Sequence, residues 1–249
     1  MSKKEPKKTV WAYGVTTIPE RIDSHLPQTL KSLVAAGFPS PRLFIDDCKD
    51  PSNYDCFGLE YTNRWPRIRI AGNWVLSLYE LYIRNASADF FAIFQDDFVT
   101  YPNLREYLEW CKYPNKGYWN LYTFPVNIKH MRKRLNLPPD QIGWFQANQM
   151  GKGAVALVLS NAAVVTLLGY PYLLKRFPNV RRGHRAIDGG IVDAFKPQGW
   201  KEYCHNPSLV QHTGDISSHG NHNQQRADCF CGESFECMAL TVTSVSGPK

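Results

Sequence analysis

The chain has 249 residues, 43% hydrophobic and 20% charged, and 29 Lys and Arg against 22 Asp and Glu give it a formal charge of +7. Those proportions exclude a disordered chain and a small disulfide-stapled scaffold, and they supply a core for one large α/β domain or two small ones. No stretch approaches the roughly 20 apolar residues of a membrane span, and the basic start "MSKKEPKK" has no signal-peptide core behind it. The expectation is a cytoplasmic protein whose seven cysteines, odd in number and unevenly spaced, stay reduced.

In chain order, "TVWAYGVT" (9–16) predicts a first strand. "LPQTLKSLVAAGF" predicts a helix, with Pro27 in the first turn, an apolar face of Leu26, Leu30, Leu33 and Val34, and Gly37 as the stop. "RLFIDD" (42–47) reads as a second strand ending in acids and "RIRIA" (67–71) as a third. "NWVLSLYELYIRNA" (73–86) is an amphipathic helix built on Trp74, Leu78, Leu81 and Tyr82. "DFFAIFQDD" has the unbroken apolar run of a central strand buried on both faces. A helix should follow, opening at Asn103 with Glu106 three residues on as a capping box.

The second half is less regular. "YWNLYTF" and "GAVALVLS" read as strands, "NAAVVTLLGY" and "DGGIVDAFK" as helices, and "EYCHNPSLVQHTG" as one last strand. Strands alternating with helices argue for a mostly parallel sheet flanked by helices in a single domain. The polar stretch after Gly214 reads as loop or tail.

Two adjacent carboxylates, Asp96 and Asp97, end the most apolar strand. Like charges about 4 Å apart repel, and burial raises the cost of ionising them. Either the pair faces water as a turn acid and a cap, or a cation offsets the charge. In open α/β sheets ligands sit beyond the carboxyl ends of the strands. "GVTTIPER", "IDD" and "FQDD" would converge there, where carboxylates can hold Mn²⁺ or Mg²⁺ and the metal can neutralise a diphosphate.

These segments, with "GNWVLSLYELY" and "NPSLVQHTGDISSHGN" in the same order, resemble the glycosyltransferases of the GT-A fold, over most of residues 10–221. The resemblance implies a Rossmann-like nucleotide-sugar half (9–112), an acceptor half (113–221), and tails at 1–8 and 222–249. It implies a metal-dependent enzyme that moves a sugar from a nucleotide-diphospho-sugar, UDP-linked and with inversion, to a hydroxyl. "QDD" departs from the plain Asp-x-Asp spacing, because Gln95 cannot ligate as an anion.

On that reading Asp97 ligates the metal and Asp96 faces the ribose or a ligand water. Thr16, Thr17 and Arg21 lie around the base and phosphates, with Asp46 and Asp47 near the nucleotide. Asn73 either contacts the nucleotide or caps the helix that begins at Trp74. His212 completes the metal site through one imidazole nitrogen. Asp188, beside glycines that allow close approach, is the base for the acceptor hydroxyl, with Asp193 as its alternate. Trp144 either stacks on a sugar or base or belongs to the core.

The basic runs "KHMRKRL" (129–135) and "LKRFPNVRRGHR" (174–185) suit either solubility or a phosphate-bearing partner, such as a hydroxymethylated base in DNA; a glycan is the other acceptor. Two competing readings remain. One is a non-catalytic nucleic-acid-binding protein with a C-terminal zinc site, although Cys229, Cys231 and Cys237 lack paired C-x₂-C spacing. The other is a nucleotidyltransferase, although "GVTTIPER" lacks a glycine-rich, Lys-containing phosphate loop. The sequence leaves the oligomeric state open.

Overall fold

A computed structural model describes residues 8–170, 187–214 and 226–244. The first seven residues, the basic run at 174–185, and His219 and His222 lie outside the described residues.

Eight strands form one sheet in the order β3-β2-β1-β4-β8-β6-β9-β7. They are β1 (Trp11–Thr17), β2 (Arg42–Asp46), β3 (Tyr61–Arg64), β4 (Phe90–Gln95), β6 (Gly117–Asn120), β7 (Gly143–Gln146), β8 (Ala156–Ser160) and β9 (Lys201–Asn206). The first four run parallel to one another. β8 is antiparallel to both β4 and β6, β9 is parallel to β6, and β7 is antiparallel to β9. The expected mostly parallel sheet is parallel in its first half and mixed in its second.

β4 lies between β1 and β8, and its side chains alternate between two cores. Ala92 and Phe94 join one core, with Leu26 and Leu33 of helix α1 (His25–Ala35) and Leu104, Tyr107 and Leu108 of α3 (Leu104–Trp110). Phe91 and Ile93 join the other. There they meet Trp74 and Leu78 of α2 (Arg69–Arg84), Val164 of α5 (Asn161–Leu168) and Ile191 of α6 (Ile187–Phe195). An apolar strand without alternation is what a sheet covered on both faces requires.

α1 ends as its sequence dictates. Gly37 sits at φ +90°, and Phe38 N–H reaches back to the Leu33 carbonyl at 2.8 Å, a Schellman closure that needs a left-handed residue.

Other expectations are revised. "RIRIA" is not a strand: Arg69 already opens α2, and the third strand is the polar segment Tyr61–Arg64. The final strand divides in two. Pro207, which has no N–H for a ladder, ends β9, and β10 (Val210–His212) leaves the main sheet to pair antiparallel with β5 (Phe98–Thr100). The capping box does not form, because Asn103 makes no side-chain cap bond and its amide reaches Glu236 at 3.0 Å instead. The run at 129–135 falls on helix α4 (Pro125–Lys133) and just beyond it, with Ile128 and Met131 turned inward. Near the C-terminal helix α7 (Ala239–Ser244), Phe230 stacks on Tyr101 at 4.7 Å and Cys237 is buried. Among the described residues no helix is long and apolar enough to cross a membrane.

α1 holds β5 in place through two hydroxyls one turn apart. Thr29 Oγ1 accepts from Phe98 N–H (3.1 Å) and lies within 2.9 Å of the Asp96 and Phe98 carbonyls, to one of which it donates. Ser32 Oγ accepts from Thr100 N–H at 2.8 Å. Thr29 is fully buried, so Thr29→Val keeps the shape and strands polar backbone groups. The expected loss is about 1–3 kcal/mol, read as a lower urea midpoint with an unchanged slope.

Candidate functional site

The carboxyl ends of β1, β2 and β4 lie at one edge of the sheet, where the chain bends at Asp96 and Asp97 between β4 and β5. A narrow crevice opens there, walled by Thr16, Thr17, Arg21, Asp46, Arg67, Asn73, Gln95 and Asp96 together with Ile18 and Ile70.

Both carboxylates are almost sealed from water, Asp96 at 2% and Asp97 at 1% exposure. Arg21, from the 3₁₀ turn Pro19–Arg21, offsets their charge: its Nη1 lies 2.5 Å from Asp96 Oδ1 and 2.6 Å from Asp97 Oδ2. Asp96 Oδ2 accepts from the Thr17 hydroxyl at 2.7 Å. Burial still holds the Asp96 carboxyl above its usual range; Arg21 opposes that and the charge of Asp97 adds to it. For Asp97 burial pulls the same way, but the hydrogen bond and charge of His212, with Arg21 and His25, outweigh it and leave the carboxyl below its usual range.

His212 arrives on β10, opposite Phe98, and Thr213 N–H donates to the Asp97 carbonyl at 2.8 Å. Its Nδ1 faces the Gly214 carbonyl at 3.1 Å and so carries the proton. Nε2 then points at Asp97 Oδ2, 3.2 Å away, a contact that is favourable with a second N–H or with a shared cation. Asp97 Oδ1 is buried with no hydrogen-bond partner.

The other candidates divide. Thr16 Oγ1 donates to the Phe94 carbonyl at 3.2 Å, so its hydroxyl ties β1 to β4. Asp46 accepts from Ile68 N–H at 2.8 Å, and burial raises its carboxyl. Asn73 lies inside α2 rather than at its cap, and both ends of its amide are engaged: Nδ2 with the Phe44 carbonyl (2.9 Å), Oδ1 with Arg64 (3.0 Å). Asp47, at φ +70°, pairs with Arg67 at 3.5 Å and is not part of the crevice wall.

The second half of the sheet brings its own segment to the same edge. Ala156 pairs with Phe94, and Gln95 N–H donates to the Val155 carbonyl at 2.8 Å, so the end of the loop 147–155 lies beside the acids. Gln149, Gly151 and Gly153 in that loop all have positive φ. Gly153 N–H donates to Asp188 Oδ2 at 2.9 Å, and Gly189 N–H to Asp188 Oδ1 at 3.1 Å. A Cβ on Gly153 would meet the Tyr122 ring at 2.4 Å, and that ring lies 6.4 Å from His212. A continuous row therefore runs from Asp188 through Gly153, Tyr122 and His212 to Asp97. Asp193 is further along α6 on an exposed position.

Sequence reasoning missed Glu202, at the start of β9 and 2% exposed. Its Oε1 accepts from Asn120 Nδ2 (3.0 Å), which also donates to the Lys152 carbonyl (3.0 Å), while Oε2 is buried without a partner. Gln149 clasps the Glu202 backbone from both sides at 3.0 Å. Burial pushes the Glu202 carboxyl up to about 7; the Asn120 bond opposes that and the charge of Asp188 adds to it. Nothing in the strand "KEYCHN" sets Glu202 apart from a solvent-facing acid, since Lys201, His205 and Asn206 are polar as well.

Trp144 belongs to the core, stacked on Trp119 at 4.5 Å and edge-on to His205 at 5.0 Å. None of the seven cysteines forms a disulfide, and among the described residues no group of three or more His, Cys, Asp or Glu side chains is placed to hold a metal, zinc included.

No family model and no curated protein matches the chain. Among solved structures it is similar to the mannosyltransferase PcManGT from Pyrobaculum calidifontis, in complex with GDP-Man and Mn²⁺. The TM-score is 0.52 at 13% identity, over 80% of this chain and 57% of that one. The chain thus spans little more than half the length of that protein. The A197 protein from STIV is similar at a TM-score of 0.44 and 13% identity, over 87% of this chain and 96% of that one. The chain has the GT-A fold.

The residues at the sheet edge fit a divalent cation. Asp97 offers an unpartnered buried oxygen and His212 an imidazole nitrogen directed at the same carboxylate. Two protein donors are few, but Mg²⁺ and its like are held by one or two carboxylates plus substrate phosphates and water.

Glu202 makes stability depend on pH. Its folded pKa lies above the unfolded value of about 4.3, so the contribution is present at low pH and lost as pH rises through about 7. Glu202→Gln holds the neutral form. Its stability relative to the parent should grow by about 3 kcal/mol between pH 4.5 and 8, measured by urea unfolding at each pH.

Proposed function

We propose that the protein is a metal-dependent glycosyltransferase that moves a sugar from a nucleoside-diphospho-sugar to a hydroxyl acceptor, with inversion at the anomeric carbon. The observation that carries this is the pair Asp96 and Asp97, buried at the end of the central strand, with one carboxylate oxygen unpartnered beside the crevice. Two buried anions in so costly a place serve a ligand that brings positive charge. The GT-A fold, and the GDP-Man and Mn²⁺ bound by the similar mannosyltransferase, agree with that reading.

In this scheme the crevice takes the nucleotide. Thr17 and Asp96 face the ribose side, Asp46 and Arg67 line the base side, and Arg21 supplies a guanidinium for the diphosphate. Asp97 and His212 would hold the cation, whose chemistry is to offset the charge on the departing diphosphate. Across the row formed by Tyr122 and Gly153, Asp188 is the base. Two backbone N–H groups fix its carboxylate, leaving lone pairs for the acceptor's proton. The acceptor oxygen attacks the anomeric carbon, the bond to the diphosphate oxygen breaks, and the proton passes to Asp188.

Charge favours an acceptor carried on a phosphate polymer, such as a hydroxymethylated base in DNA. Lys129, Arg132, Lys133 and Arg134 of α4 and the residue after it are exposed. α4 is tied to the loop 147–155 where the Asn127 side-chain oxygen accepts from Asn148 N–H at 3.1 Å. A glycan acceptor would show no such preference for polyanions.

The deciding experiment is thermal unfolding with UDP, GDP, CMP and dTDP, each with and without Mn²⁺. The matching nucleotide at 100 times its dissociation constant should add about 2.7 kcal/mol with Mn²⁺ present, and Asp97→Asn should lose that gain. No shift from any nucleotide would overturn the reading. Asp188→Asn should keep the donor-dependent shift while turnover falls about 10²–10⁴-fold; undiminished turnover would remove Asp188 from the base role.

A further inference from the structure

We infer that Arg21 is an exchangeable counter-charge: without donor it compensates Asp96 and Asp97 and excludes the divalent cation, and an incoming diphosphate draws it away. This rests on the proposed donor site and concerns the order in which that site fills.

The geometry is specific. One guanidinium nitrogen contacts both carboxylates, at 2.5 and 2.6 Å, and the Asp97 oxygen it contacts is the one that faces His212. A divalent ion bound at that oxygen would stand within a few ångströms of the guanidinium, where unlike occupants of the same sign repel strongly in a partly buried site. Arg21 and the cation are therefore alternatives at Asp97. Neither is complete alone: with Arg21 in place the two carboxylates keep a net negative charge, and Asp97 Oδ1 still lacks a partner.

Arg21 has somewhere to go. It belongs to the crevice wall with Thr17 and Asp96, whereas Asp97 does not, so the guanidinium lies between the nucleotide's place and the innermost acid. Its side chain is 13% exposed against 1% for Asp97. A diphosphate in the crevice offers bidentate oxygens that suit a guanidinium better than two separate carboxylates do. Movement of Arg21 onto it would bare Asp97 at the moment phosphate oxygens become available to complete a coordination shell. Nucleotide and metal then bind with positive coupling, each raising the affinity for the other by the same factor.

The test is Mn²⁺ binding by electron paramagnetic resonance, without nucleotide and with saturating nucleotide, on the parent, Arg21→Gln and Arg21→Lys. Folding of each is checked by its melting curve. The parent should bind Mn²⁺ at least tenfold more weakly without nucleotide than with it. Arg21→Gln should bind Mn²⁺ at least tenfold more tightly than the parent in the absence of nucleotide, and the added Asp97→Asn change should abolish that gain. Arg21→Lys, which keeps the charge, should behave as the parent. If folded Arg21→Gln binds Mn²⁺ no better than the parent, the exchange is overturned even where nucleotide and metal bind the parent together. If the parent binds neither under any condition, the donor site itself fails, which is a separate result.

Discussion

The architecture turns on two negative charges that have almost no access to water. Taking a carboxylate out of solvent costs several kcal/mol, and placing a second beside it adds repulsion. The surroundings of Asp96 and Asp97 can be understood as compensation. Thr17 comes from β1, Arg21 from the turn behind it and His212 from β10, while Thr29 of α1 holds the backbone beside them. Four separate segments are thereby tied to one bend, and two of these residues, Thr17 and Arg21, also wall the crevice with Asp96. Removing Arg21 would leave two buried carboxylates without their shared counter-charge, so stability and the shape of the crevice rest on the same groups.

The second constraint is the seam between β4 and β8, where the sheet changes from parallel to antiparallel. Because β8 is antiparallel, it begins at the edge where β4 ends, with Ala156 opposite Phe94. That reversal sets the end of the loop 147–155 beside the acids and Asp188 behind the loop. Three positive-φ residues let the loop approach closely, and for Gly153 a side chain is excluded by the Tyr122 ring. A parallel β8 would have carried the same residues to the far edge.

Much of this was legible in the sequence, for reasons that also mark where it stopped. β1, β2 and β4 carry dense apolar runs because they are covered on both faces, and α1 announces its end with Gly37. The acid pair was visible because charge after "FFAIF" breaks the pattern. β3 and β7 were not, since both lie at the rims of the sheet, are four residues long and are mostly half-buried. α4 was masked by its own basic residues, which read as a charge run rather than a solvent face. The partners of the acids were hidden by distance along the chain: nothing in "IPER" says that Arg21 bridges Asp96 and Asp97, and a strand acid such as Glu202 looks exposed until its neighbours are known. Asn73 shows the converse, a polar residue in the expected place whose amide is consumed by the frame.

The pairing of β5 with β10 also bears on how the protein is made. A nascent chain grows from its N-terminus at about 5–20 residues per second, so Arg21, Thr17 and Thr29 emerge before the acids they serve, whereas His212 follows them by several seconds. Through that interval β5 has no strand beside it, and the acids have no imidazole. The early arrival of the guanidinium lets the first half-sheet close around its charges without waiting for the rest. The cluster is completed late in synthesis, when β10 pairs with β5 and brings His212 to Asp97.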